Sequence, residues 1–131
     1  MSSLSYSVYK EVEDQSRDLY YSQAVIVGNI VKTSGQGGWD VTNDIPSDVE
    51  KQVELAFENV SKTLRAANSS LSWDNVYAVR TLHTDIEKSA EFVIAGFKKH
   101  MPKHRPIWTC VQIEKLGVEG MQIEIEVEAI L

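Results

Sequence analysis

Ile123-Glu124-Ile125-Glu126-Val127-Glu128-Ala129 alternates apolar and acidic residues without a break, and a period of two is the mark of a half-buried β-strand. With Met121 and Gln122 ahead of it, the run sets Met121, Ile123, Ile125, Val127 and Ala129 on one face and Gln122, Glu124, Glu126 and Glu128 on the other. The apolar row predicts contact with helices. The acidic row predicts a solvated sheet face, or a face covered in part. Upstream, Ile107, Thr109, Val111 and Ile113 alternate with Trp108, Cys110 and Gln112. If the two strands align their apolar faces, Trp108 and Cys110 fall on the Glu side. A Trp and a Cys are poorly suited to bare water, so part of that face is expected to be covered. A carboxylate beside an aromatic wall in a partly dry cleft has a raised pKa and can act as acid or base.

Working outward, Ser22–Val27 and Ile30–Ser34 flank Gly28-Asn29, a pairing suited to a tight hairpin. Gly35–Pro46 is rich in Gly, Asp, Asn and Pro and reads as a loop. Ser47 and Glu50 have capping-box spacing, and Val49, Val53, Ala56, Phe57, Val60, Leu64 and Ala67 then recur as one helical stripe that ends at Asn68. Val76–His83 is strand-like. Thr84 and Glu87 repeat the capping-box pattern ahead of Ile86, Ala90, Val93, Ile94, Phe97 and Met101, and Pro102 stops that helix. The strands Ile107–Ile113 and Met121–Ile130 follow, divided by a turn at Gly117–Gly120. This order predicts an α+β two-layer domain, with a mixed, mainly antiparallel sheet and two helices on one face. At 131 residues a single domain over 1–131 is expected, its first 18 or so residues forming an N-terminal strand and lead-in.

With 43% hydrophobic and 24% charged residues the composition is ordinary for a soluble globular chain. A formal net charge of −6 argues against nucleic-acid affinity, which needs phosphate neutralisation. No apolar run approaches the roughly 20 residues of a spanning helix, so no membrane is expected. Neither a secretory signal nor an Arg-rich transit peptide is visible, and the single Cys fits a reducing compartment. A cytoplasmic location is expected, with a mitochondrial one left open. No cofactor is implied, because Gly35-Gln36-Gly37-Gly38 opens no helix and no phosphate loop or dinucleotide fingerprint occurs. No metal is expected either, since Pro102 breaks the helix that would align His100 with His104. Cys110 as a nucleophile has no base identifiable in the sequence.

Read together, Tyr21-Ser22-Gln23-Ala24-Val25, Ser34-Gly35-Gln36, Ile107-Trp108-Thr109-Cys110-Val111 and the terminal alternating strand resemble the Rid family of YjgF-type reactive-intermediate deaminases, also described as endoribonuclease L-PSP. The resemblance runs from about Leu19 to Ile130 with the motifs in the family's order. It implies a chorismate-mutase-like fold assembled as a homotrimer, with small-molecule ligands in intersubunit clefts. It further implies that a Glu on the last strand positions the water that attacks an imine carbon. Alignment of Gly120–Glu126 puts that Glu at Glu124, with Glu126 as the alternative two residues on. Tyr21, Ser34, Gly35 and Gln36 match positions lining the cleft, and Cys110 matches a position whose backbone helps hold the ligand.

One departure stands against this agreement: enzymatically active members carry Arg where this chain has Trp108. Arg grips a carboxylate through two parallel hydrogen bonds, which indole cannot imitate. Trp108 instead offers apolar area and one N–H, suiting a neutral or aromatic ligand. Arg80 could in principle supply the missing charge, although a salt-bridged or exposed role is the default. Three readings are therefore open: a hydrolytic deaminase of an enamine or imine with altered substrate preference, a non-catalytic trimer that binds a small metabolite, and a chaperone-like trimer.

Overall fold

The structure, a computed structural model, describes residues 4–131. The part of the expected N-terminal segment that falls on residues 1–3 lies outside them. Strand β1 (Leu4–Ser7) leads through a 3-10 turn at Lys10–Val12 into a short helix, α1 (Glu13–Leu19), where only a lead-in is expected from the sequence. The hairpin follows as β2 (Ala24–Val27) and β3 (Ile30–Thr33). Its turn works because Gly28 adopts φ +63, as a two-residue hairpin loop requires.

The long loop after β3 is not wholly irregular. Gln36–Gly37 forms a two-residue strand, β4, that pairs with the last strand. Then come α2 (Val49–Ala67), β5 (Val76–His83), α3 (Ile86–His100), β6 (Ile107–Gln112) and β7 (Ile123–Ile130). The sheet order is β1-β2-β3-β7-β5-β6, with β4 also on β7. Among the described strands only β5 and β6 run parallel. A parallel pair needs a crossover, and α3 supplies it, which places α3 over the same sheet face as α2.

The core forms where β7 meets α2. Ile123, Ile125 and Ala129 are fully buried beside Phe57, Val60 and Leu64. On α2 the expected stripe is the buried one, with Val49 and Ala67 at its less buried ends. On α3 the buried positions are Ser89 and Val93, while Ile94 is 40% exposed. Ile94 was expected on the apolar face, but α3 rolls so that Gly96 meets α2. A Cβ on Gly96 would lie 2.3 Å from the Phe57 ring. The two helices approach closely only because that atom is missing.

Neither expected capping box forms, and the N-cap falls one residue later at both helices. Asp48, not Ser47, caps α2, its carboxylate accepting from the Lys51 N–H at 2.9 Å. Asp85 holds the N-cap position of α3 without a side-chain bond, and the Ile86 N–H instead donates to Gln112 Oε1 at 2.9 Å. Replacing Asp48 by Ala should lower unfolding free energy by about 1 kcal/mol, and Ser47→Ala should change it by less than about 0.5 kcal/mol. Urea denaturation of the two variants checks this. Equal losses would return the cap to Ser47.

Candidate functional site

Strand β7 carries the candidate site. Its apolar residues lie under the helices, and Glu124, Glu126 and Glu128 line the opposite, helix-free face. Register with β5 fixes their neighbours: Leu82 stands opposite Glu124, Arg80 opposite Glu126 and Ala78 opposite Glu128. The three carboxylates are not equivalent. Arg80 Nε lies 3.0 Å from Glu126 Oε1, so Arg80 is salt-bridged. Glu128 accepts from the Tyr77 hydroxyl at 2.9 Å.

Glu124 has neither kind of partner. It packs against Gly35, where an added Cβ would fall 1.7 Å from its carboxylate oxygen. Burial pushes its pKa above the ordinary Glu value, and the nearby Glu126 charge adds to the rise.

The close approach of Gly35 is secured from the other side. Gln36 is fully buried in a chain of polar side chains, with Trp39 donating to the Tyr9 hydroxyl at 2.8 Å and Tyr9 donating to Gln36 at 2.9 Å. Gln36 Nε2 then donates to Gln23 at 2.6 Å, and Gln23 to Ser16 at 2.9 Å. Burial raises the Tyr9 pKa and keeps that hydroxyl a donor. Gln36 is thus spent on structure. It anchors β4 against β7 and so holds Gly35 over Glu124, rather than facing a cleft as expected. Trp39 belongs to the same chain.

Ser34, whose hydroxyl donates to Ser22 O at 2.7 Å, borders an open cleft of about 600 Å³. Tyr21, Tyr6, Tyr20 and Lys32 also line it. Tyr21 is 45% exposed. Tyr20, 95% exposed at φ +62, takes the left-handed conformation that closes α1.

Trp108 and Cys110 are not on the Glu124 face, contrary to the expectation from alternation. β6 pairs with β5, where Trp108 stands beside Val79 and Cys110 beside Thr81. Val79 and Thr81 in turn stand beside Val127 and Ile125, the core residues of β7. Trp108 and Cys110 therefore lie on the helix side, and Ile107, Thr109 and Val111 look out on the Glu face. The physical reason is that an edge strand inherits its facing from the register of its one neighbour, whatever its own apolar pattern. The helix-side residues are accommodated individually. The Trp108 ring meets Phe97 of α3 edge-on at 5.1 Å, and its N–H donates to Thr81 Oγ1 at 2.9 Å.

The same face holds a residue the sequence reading passed over. His83 is fully buried, with Nδ1 at 2.5 Å from Ser89 Oγ and Nε2 at 2.7 Å from Thr81 Oγ1. Cys110 Sγ is 3.3 Å from the same Nε2. Burial lowers the His83 pKa, so the imidazole is neutral. The available signal was parity: His83 shares a strand face with Val79 and Thr81, and a His in an inward position needs partners. His100 and His104 do not form a pair. His100 stacks on Phe57 at 5.0 Å, and His104 bonds Val76 O at 2.8 Å. No helix among the described residues is long and apolar enough to cross a membrane.

Comparison with known proteins agrees with this architecture. A family model described as endoribonuclease L-PSP matches residues 16–131. The RutC family protein YjgH of Escherichia coli is 33% identical over 111 residues, covering 83% of this chain and 81% of its own. The solved YjgH structure superposes with a TM-score of 0.87 over 99% of this chain and 98% of its own. The structure of E. coli TdcF with bound serine gives 0.74 at 32% identity, covering 85% and 87% of the two chains. The 2-iminobutanoate/2-iminopropanoate deaminase of Rattus norvegicus is 30% identical over 112 residues, covering 84% of this chain and 79% of its own. The chain belongs to the endoribonuclease L-PSP family, the YjgF or Rid group, and has its α+β fold.

Proposed function

We propose that this protein is a hydrolytic deaminase of a reactive enamine or imine, with Glu124 orienting the attacking water. The observation that carries this reading is the state of Glu124: a partly buried carboxylate with a raised pKa, free of any ion pair and held against Gly35. A base poised nearer neutrality takes a proton from water more effectively than an ordinary carboxylate does. Water adds to the imine carbon as one of its protons passes to Glu124 and on to the nitrogen, giving a carbinolamine. The new hydroxyl then gives up its proton, again through Glu124, to the departing nitrogen, so ammonia leaves and a carbonyl remains. Glu126, tied to Arg80, is less available for this cycle. The name of the rat relative, an iminobutanoate and iminopropanoate deaminase, supports the same chemistry.

The open sheet face supports assembly as a homotrimer. Tyr6 is 62% exposed and Ile107 73% exposed, and Leu4 and Val27 are also largely uncovered there. That is more apolar surface than a solvated face carries. In such an assembly a neighbour closes the space over Glu124, with Tyr21, Ser34 and Gly35 contributing to the cleft. Trp108, turned toward α3, places no cation beside Glu124, and Cys110 enters this cleft only through its backbone. Substrates that lack a carboxylate anchor are therefore preferred. The serine bound in TdcF favours a second reading, a trimer that binds a small metabolite without turnover.

Imines generated in situ from amino acids and from uncharged amines, with semicarbazide as the competing trap, separate the two readings. Wild type should accelerate hydrolysis, and Glu124→Ala should lose about 10²–10⁴ of that acceleration. Uncharged imines should lead by about one to two powers of ten, the worth of a lost charge-assisted pair. Binding without acceleration would establish the second reading.

Protonation of Glu124 also leaves a mark on stability. A carboxyl whose folded pKa is raised contributes stability that is present below the unfolded value near 4.5 and lost as pH rises through the folded one. Glu124→Gln should remove that loss. Its stability relative to wild type should therefore improve between pH 4 and pH 7, as read by urea melts at each pH, and a ratio flat with pH would contradict the raised value.

A further inference from the structure

Helix α1 and the loop that follows β4 enclose another cavity, of about 210 Å³. Val12 and Leu19, at the two ends of α1, wall one side, with Ile45 of the loop and Val118 of the turn ahead of β7 on the others. Tyr21 and Trp39 add aromatic walls. Neither Gly35 nor Glu124 borders this space, so it stands apart from the proposed hydrolysis.

The walls are tied down independently of any occupant. Gln23 donates to Ser16 Oγ at 2.9 Å, which fixes α1. Asn43 Nδ2 donates to Glu11 O at 3.2 Å and Trp39 Nε1 to the Tyr9 hydroxyl at 2.8 Å, which fix the loop to the segment before α1. The space is therefore preformed, and filling it needs little reorganisation. Those polar groups are spent on holding the walls. Gln15 is different. Its side chain lines the cavity and its amide oxygen is withdrawn from solvent, yet no donor reaches that oxygen among the described residues. A buried acceptor without a donor is costly, and folded proteins keep few of them. The last torsion of a Gln side chain is soft, so a small rotation turns the oxygen toward whatever fills the cavity.

We propose that this cavity binds a small neutral aromatic molecule carrying a single hydrogen-bond donor, an indole or a phenol, with the donor on Gln15 Oε1. Size, charge and polarity each select that class. An apolar cavity on the order of 150 Å³ holds benzene, so this one has room for a ring and a fused or pendant group. Among the described residues no carboxylate, Lys, Arg or His lines it, so a charged ligand would lose its water without gaining a counter-ion. Water itself is a poor occupant, because it needs roughly two to four polar partners. Leu19 is 69% exposed and Val118 53% exposed, apolar area on the solvent side that a bound ring would cover.

Isothermal titration calorimetry with indole and with benzofuran, the same bicycle with oxygen in place of the N–H, tests this on the native chain. Indole should bind at least about tenfold more tightly, the worth of one hydrogen bond to a buried acceptor. Gln15→Leu should bring indole down to the benzofuran affinity and leave benzofuran unchanged. Val118→Trp, at an exposed turn position, should block both. Amide NMR shifts on indole addition should centre on residues 12–19, 39–45 and 116–118. The comparison of the two bicycles stands even if Gln15→Leu fails to fold. No binding of indole up to its solubility limit overturns the proposal, as do equal affinities for the two bicycles, or shifts centred on Ser34 and Glu124 instead.

Discussion

Everything in this structure hangs on how β7 is gripped. Its apolar row is pressed beneath α2, and its backbone pairs with β3 and β4 on one side and β5 on the other. A one-residue slip would carry Ile123, Ile125, Val127 and Ala129 to the open face and three carboxylates into the core. Burying unpaired carboxylates costs several kcal/mol each, so the register has one acceptable value. The position of Glu124 on the open face follows from that constraint. The alternation that makes the core also presents the Glu124 carboxylate on the open face, at no separate structural cost.

What distinguishes Glu124 from its neighbours is supplied at a distance. Gln36 is locked in a buried chain of hydrogen bonds reaching from Trp39 to Ser16, and this holds β4 beside β7. Gly35, next in line, then lies against the carboxylate, and its missing Cβ is what lets the side chain fit. A carboxylate packed this closely loses solvent and has its pKa raised, whereas Glu126 keeps its Arg80 partner. Two identical side chains two residues apart thus differ in chemistry through what their neighbours do.

The sheet's other face follows a different logic. There β5 brings Thr81 and His83 inward, polar groups in a region that is otherwise apolar, and each is satisfied by a specific partner. Such groups are tolerated only when the network is complete. Ser89 at the start of α3 and Trp108 and Cys110 on β6 complete it. The same bonds tie the crossover helix to the strands it connects, so a polar cluster does part of the work that packing does elsewhere.

Sequence alone determined the hairpin, the two long helices, the last three strands, the two-layer class and the facing of β7, but not α1 or β4. Each is written in local periodicity: the stripe from Val53 to Leu64, the stop at Pro102 and the strict alternation after Met121 depend on nothing beyond neighbouring residues. The motifs around Tyr21, Ser34 and Glu124 likewise pointed to the family before any coordinates. Tertiary structure alone decided which way β6 faces, that α3 rolls Ile94 outward, and that Cys110 has His83 beside it. Those outcomes rest on contacts between residues far apart in the chain, such as Thr81 with Cys110 and Gly96 with Phe57. A strand at the edge of a sheet takes its facing from its one partner, and no periodicity within its own six residues can encode that partner's register.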